Sequence, residues 1–250
     1  DLDTADGDIS FSMPLDSVPT VNGGLGIVYE AGLTDGTDAG VAVTTVTGLF
    51  NINTGSDGFG DLLIDGNVVA VGDTIVSAHT YGTLTITDDA TDGLGWSYTI
   101  NAEETHADAL ANNTLTDTFS VSVTDDEGTP SATPAASIVI TIVDDVPTAG
   151  DTDLGAQAED AEITINVFGI TGTEQGADGA TLTGVTVDQG ATAGTVTFDA
   201  AGNVTFTPTA QYAGDVTLSY TVTDTDLDTA DGDISFSMPL DSVPTVNGGL

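Results

Sequence analysis

The sequence predicts an all-β chain: two antiparallel β-sandwiches in tandem, forming part of a linear array. Three observations carry this reading. Apolar and polar residues alternate with period two in short segments throughout, and Gly, Asp and Asn turns separate them. Two acidic, proline-bearing joints divide the 250 residues: LDSVPT (Leu15 to Thr20, again at Leu240 to Thr245) and VDDVPT (Val143 to Thr148). Finally, DLDTADGDISFSMPLDSVPTVNGGL at residues 1–25 recurs unchanged at residues 226–250, an offset of 225 residues.

Taken in order, the strands read as follows. DLLI and NVVAV flank Asp65-Gly66, a hairpin turn signal. GTLTIT places Leu84 and Ile86 on one face; WSYTI aligns Trp96, Tyr98 and Ile100; TFSVSV aligns Phe119, Val121 and Val123. SIVITIV aligns Ile138, Ile140 and Ile142. EITINV, GTVTF, NVTFTP and DVTLSYTV follow, with a second hairpin expected at Asp199 to Asn203, and DISFSM aligns Ile234, Phe236 and Met238. NGGLG reads as a turn, because no strand–helix unit surrounds it to make a phosphate cradle. Alternation of this kind marks strands with one wet face. Proline at each joint stops a strand and stiffens the connection.

The repeat implies a slice, slightly longer than one period, from a tandem array whose modules touch mainly along the chain. Residues 1–17 are then expected to be the last loop and strand of a preceding B-type domain. Domain A spans 18–145, domain B spans 146–242, and 243–250 begins the next A-type domain. Domain A exceeds a minimal sandwich of about 100 residues, and the excess lies around Ala39 to Ile75 as an expected extra hairpin.

Composition narrows the partners. The chain has no Lys or Arg and forty acidic residues, a formal charge of −40. Nothing here neutralises phosphate, so nucleic acid is excluded, and an anionic membrane surface is disfavoured on the same ground. No cysteine means no disulfide and no thiolate metal site. No apolar run long enough for a membrane span occurs. His79 and His106 sit far apart in surface-like contexts, and the aromatics fit core strands, so the chain is read as non-enzymatic.

The carboxylates are concentrated. TDTDLDTADGDI holds Asp224, Asp226, Asp228, Asp231 and Asp233. Two carboxylates about 5 Å apart repel by roughly 3 kcal/mol at an effective dielectric of about 20. Without cationic side chains the compensation must come from solution. Oxygen-only ligands in a flexible loop favour Ca2+ over zinc or magnesium. The loop is not an EF-hand, whose turn glycine and terminal Glu would fall on Thr229 and Ser235.

Sandwich topology then assigns each acidic group to a pole. Glu30, Asp144, Asp145, Asp224, Asp226, Asp228 and Asp231 should converge at the A–B joint. Asp125, Asp126 and Glu127 should face the preceding joint with Asp16, and Glu159 and Asp160 the following joint with Asp241.

Residues 81–128, YGTLTITDDATDGLGWSYTINAEETHADALANNTLTDTFSVSVTDDEG, resemble the VCBS-type repeat of very large bacterial surface proteins. VPTAGDTDLGAQAEDAEITINVFG and AGNVTFTPTAQYAGDVTLSYTVTD, within domain B, are similar to the cadherin-like, Ig-like tandem repeats of such proteins. The joints DDVPTA and DSVPT resemble those of type I-secreted, repeat-in-toxin-type giant adhesins. The tandem nonapeptide calcium repeats of that family are missing; GSDGFGDLL (Gly55 to Leu63) is a single imperfect echo. The resemblance implies an extracellular, calcium-rigidified stalk on a bacterial cell surface, serving adhesion or biofilm formation. Its partners are adjacent repeats of the same chain and neighbouring fibres, with the tip ligand outside this segment. Two other classes stay open: a subunit of a matrix filament or surface layer built laterally or by strand exchange, and a sugar- or protein-binding module.

Overall fold

The computed structural model describes residues 17–76, 81–89, 93–107, 113–132 and 136–240. The readings placed on residues 1–16 and 241–250, including Asp16 and Asp241, and on His79 lie outside them. Among the described residues, period-two alternation becomes strand where it was expected. The first group is β1 (Thr20–Val21), β2 (Gly24–Tyr29), β3 (Thr45–Leu49), β4 (Ile52–Asn53), β5 (Phe59–Ile64) and β6 (Asn67–Val69). It continues with β7 (Thr74–Val76), β8 (Gly82–Asp89), β9 (Gly93–Ile100), β10 (Thr114–Asp125) and β11 (Ala136–Val143). The second group is β12 (Thr152–Ala156), β13 (Ile163–Asn166), β14 (Thr181–Val187), β15 (Gly194–Phe198), β16 (Asn203–Pro208), β17 (Gly214–Thr223) and β18 (Thr229–Met238). Among the described residues the only helical turns are short 3-10 segments.

Each group closes into two facing sheets around its own core. In the first, the sheet β2-β11-β10-β5-β6 packs on β3-β9-β8-β7, with β1-β4 as a small third piece. Its core contains Trp96, Tyr98, Phe119, Val121, Val123, Ile138, Ile140 and Ile142. In the second, β12-β18-β17-β14 packs on β13-β16-β15 around Phe206, Leu218, Tyr220, Ile234, Phe236 and Met238. The alternating faces named from sequence are therefore the inward faces, as burial of one side of each sheet requires.

Three details differ from the sequence reading. Neither sandwich is wholly antiparallel: β2 runs parallel to β11, and β12 parallel to β18. A parallel pair needs a long crossover, and here the rest of the sandwich supplies it. The stretch 39–75 is not an appended hairpin, because β5 pairs with β10 and buries Leu62 and Ile64 in the core. NGGLG is not all turn, since Gly24 opens β2. A Cβ on Gly24 would stand 2.5 Å from Trp96 Cζ2, and one on Gly48 2.5 Å from Cε2, so both glycines clear space for the indole.

The hairpin signals hold. Asp65 and Gly66 adopt φ of 50° and 77°, the left-handed pair that a two-residue turn demands, between Ile64 and its partner Asn67. Asp199–Asn203 joins β15 to β16. Each core also buries one tyrosine with its hydroxyl satisfied. Tyr98 donates to Asp117 at 2.6 Å, and Tyr220 donates to the Gly150 carbonyl at 2.6 Å beside the Thr173 hydroxyl at 2.7 Å.

Candidate metal centre

Strand register brings the acidic groups together. Val143 ends β11 opposite Tyr29, which ends its parallel neighbour β2. The next residues, Asp144 and Glu30, therefore leave the sheet side by side. Glu30 starts a 3-10 turn and is fully buried, and Asp144 is buried with it. The segment after β9 adds Glu104 and His106 to the same end of the first sandwich: Glu104 N–H donates to Glu30 Oε1 at 2.9 Å, and His106 Nε2 lies 3.3 Å from that oxygen.

From the other side comes the loop between β17 and β18. Asp224 Oδ1 accepts from the Asp226 and Asp228 N–H groups at 3.0 and 2.9 Å, which curls the loop and turns all three carboxylates inward. All three are buried. His106 N–H then donates to Asp226 Oδ2 at 2.6 Å, joining the two sandwiches. Asp178, from the Gly176–Gly179 loop, completes the cluster and is anchored where Thr225 Oγ1 donates to its carbonyl.

Two sets of ligand atoms lie within 4.8 Å of one another: Glu30, His106 and Asp144, and Asp144, Asp178 and Asp226. Oxygens on opposite sides of an ion bound at 2.3–2.6 Å are separated by about 5 Å, so the second set is spaced to surround one cation. The polar inventory agrees. Glu30 Oε2, Asp178 Oδ2, Asp224 Oδ2 and Asp226 Oδ1 are buried with no hydrogen-bond partner among the described residues. Leaving such atoms unanswered costs about 1–3 kcal/mol each, more when charged. The cluster can hold a metal.

The electrostatics of the seam's own side chains point the same way. Burial, with the charges of Glu30, Asp226, Asp144 and Asp224, pushes Asp178 up to about 8. Burial, a hydrogen bond with Asp228 and the Glu30 charge push Asp144 up to about 7 against the opposing pull of His106. Burial also raises Asp224, although backbone donors from Asp228 and Asp226 resist it. Burial disfavours the charged form of His106, but Glu30, Asp144 and Asp226 outweigh this and hold it above the ordinary imidazole value. Without a cation, the cluster must carry protons.

Of the seven residues expected at the A–B joint, the structure brings Glu30, Asp144, Asp224, Asp226 and Asp228 into the cluster. Asp231 lies elsewhere: it sits on β18 with its side chain outward, accepting from Thr221 Oγ1 at 2.6 Å. Strand parity sends Gly232 and Ile234 inward and Asp231 out. Asp145 is a brace. Its Oδ2 accepts from Thr37 N–H at 2.9 Å and Ala177 N–H at 2.8 Å, and its Oδ1 accepts from Thr37 Oγ1. Replacing Asp145 with Ala is expected to leave both sandwiches folded while the Thr37 and Ala177 amides exchange roughly tenfold faster, the loss of about one charge-assisted hydrogen bond each. Amide hydrogen exchange followed by NMR checks this.

Sequence reasoning missed His106 and Asp178. His106 is 5% exposed, not on the surface. At the far pole of the first sandwich, Asp125 repeats the Asp224 arrangement. It is buried, and its Oδ1 accepts from Glu127 and Thr129 N–H at 3.1 and 2.8 Å, while Asp126 and Glu127 point to solvent. Asp160 accepts from Gln211 N–H at 2.9 Å and is exposed; neighbouring Glu159 is half-buried.

Among the described residues no helix is long and apolar enough to cross a membrane. A comparison with curated proteins returned no match. Three solved structures illustrate the similarity found among known folds. An endo-fucoidan hydrolase of glycoside hydrolase family 107 is 15% identical with a TM-score of 0.29, over 95% of this chain and 31% of that one. The chain thus spans about a third of its length. The D00-D0 domain of intimin is 13% identical with a TM-score of 0.34, over 88% and 99% of the two chains. The cadherin domains 1–4 of protocadherin gamma B7 are 11% identical with a TM-score of 0.30, over 90% and 49%. At the level of sequence families, residues 143–238 match the model described as cadherin-like domain. The stretch that supplies Asp144, Asp178, Asp224, Asp226 and Asp228, and with them the whole second sandwich, is similar to a cadherin-like domain.

Proposed function

We propose that this chain is a stalk segment of a long extracellular fibre, in which Ca2+ bound at the seam between the two sandwiches fixes their relative orientation. The observation that carries the reading is the buried cluster itself. Carboxylates from both sandwiches meet there with oxygens left unanswered, and the chain has no Lys or Arg to answer them. Asp144, Asp178 and Asp226 would hold the ion, with Asp224 and Asp228 beside them. Calcium would supply a charge that neutralises and cross-links these groups. The first sandwich contributes through the joint, and the second through its loops.

The resemblance of 81–128 to VCBS-type repeats, and the cadherin-like match of 143–238, support assignment to a giant adhesin of the repeat-in-toxin type at a bacterial surface. The role is mechanical rather than catalytic: spacing a distant binding tip and serving adhesion or biofilm formation. Extracellular calcium modules bind at about 10⁻⁴–10⁻³ M, so such sites would fill after export and stay empty in cytosol.

Small-angle scattering tests this. In millimolar Ca2+ the chain should give a narrow, elongated distance distribution; in excess chelator it should broaden as the joint bends. Identical profiles in the two conditions would reject calcium rigidification. Substituting Asp226 with Asn should reproduce the chelator profile even in calcium.

A further inference from the structure

The junction contains a group that calcium does not explain. His106 is 5% exposed, Glu30 is fully buried, and the imidazole Nδ1 and Glu30 Oε2 have no hydrogen-bond partner among the described residues. One ligand atom from each of Glu30, His106 and Asp144 falls within 4.8 Å of the others. Calcium takes oxygen ligands, whereas a nitrogen-plus-carboxylate set suits first-row ions such as zinc.

We propose that Glu30, His106 and Asp144 form a second metal subsite, selective for a zinc-class divalent ion and adjoining the oxygen-only calcium subsite. Geometry agrees. Bonds of about 2.0–2.1 Å around a tetrahedral ion separate neighbouring ligand atoms by about 3.3 Å, and His106 Nε2 stands 3.3 Å from Glu30 Oε1. Three protein ligands leave the fourth position to water. Asp144 belongs to both ligand sets, so its carboxylate bridges two unlike ions. To that extent the inference rests on the calcium reading.

The two ions divide the work differently. The calcium subsite draws Asp178 and Asp226 from the second sandwich and so ties the two bodies. The nitrogen-bearing subsite draws Glu30 and His106 from the first sandwich alone, with Asp144 on the joint. It therefore fixes the angle at which Asp144 is presented to the calcium subsite, and zinc should tighten calcium binding. By reciprocity calcium should tighten zinc binding by the same factor.

The test is titration of the full chain with Zn2+ in saturating Ca2+, followed calorimetrically, with Co2+ absorption as a geometric reporter. One tight equivalent with the intense visible bands of tetrahedral cobalt is expected. His106→Gln should lose at least tenfold in Zn2+ affinity and abolish those bands while its calcium titration persists; His79→Gln should change neither. Zinc that displaces calcium mole for mole, or binds His106→Gln as tightly as the parent, would overturn the subsite. So would an absence of zinc heat in the calcium-saturated chain, which would leave His106 as the ion-pair partner of Glu30. Because calcium alone is titrated separately, failure of the calcium reading is told apart from failure of this one. X-ray absorption of the zinc-loaded parent, showing one imidazole or none, decides the matter even if His106→Gln folds poorly.

Discussion

Calcium added to the chelated protein at pH 8 is expected to raise the melting temperature of the second sandwich by about 10–20 °C. A ligand at about a hundred times its dissociation constant stabilises the state it binds by about 2.7 kcal/mol. For a domain of this size each kcal/mol moves the midpoint by about 4–8 °C. The increment depends on pH with a definite sign. Asp144 and Asp178 titrate at about 7 and about 8 in the folded chain, against an ordinary value of 3.8. Between about pH 4 and pH 8 the folded state holds more protons than the unfolded one, so in chelator stability falls as pH rises through that window. Their contribution is fully present below about pH 4 and is lost as pH passes 7 and then 8. Calcium needs the same carboxylates deprotonated. The calcium increment should therefore be largest at pH 8 and shrink steadily toward pH 5. Scanning calorimetry across that range, with and without chelator, decides the matter: an increment that is independent of pH removes Asp144 and Asp178 from the site.

Replacing Trp96 with Ala should destabilise the first sandwich by about 3–5 kcal/mol, the usual cost of deleting a buried aromatic, and leave the second nearly untouched. The indole is 1% exposed, and Gly24 and Gly48 make room for it. With no side chain on either glycine to collapse into the space, the cavity cannot close. The converse change, Gly48→Ala, should cost about 1–3 kcal/mol by overpacking. The two cores share no residue, so calorimetry of Trp96→Ala should show two transitions, the earlier from the first sandwich. NMR signals of Tyr220 and Phe236 should persist through it. One merged transition at lower temperature would mean that the cores unfold as a unit.

The fold was largely legible because its signal is local. Ile138, Ile140 and Ile142 announce their inward face by alternation alone, and Asp65-Gly66 announces its turn by the dihedrals those residues tolerate. The candidate site was legible only where it shared that locality. Asp224, Asp226 and Asp228 stand in one loop, and Glu30 and Asp144 follow paired strand ends. Acid density draws Asp231 into the site, but strand parity overrides it: the inward Gly232 and Ile234 that follow it set which way it points. His106 and Asp178 sit in irregular segments with no period to read. Their meeting depends on how two bodies dock, which no short stretch of sequence encodes. For Asp178 one trace existed: an acidic residue between glycines in GADG, a loop free to bring its backbone close to a neighbour.

The parallel pairings β2–β11 and β12–β18 have a consequence if the chain works under tension, as the stalk reading proposes. Pull the ends of either sandwich apart and β2 is dragged against β11, or β12 against β18, along their length. The hydrogen bonds between them are then loaded together in shear instead of parting one after another like a zip. The first sandwich meets that load with six consecutive register pairs; the second has three, interrupted by an irregularity. The weaker clamp belongs to the second sandwich, so a stalk of the kind proposed should yield there first.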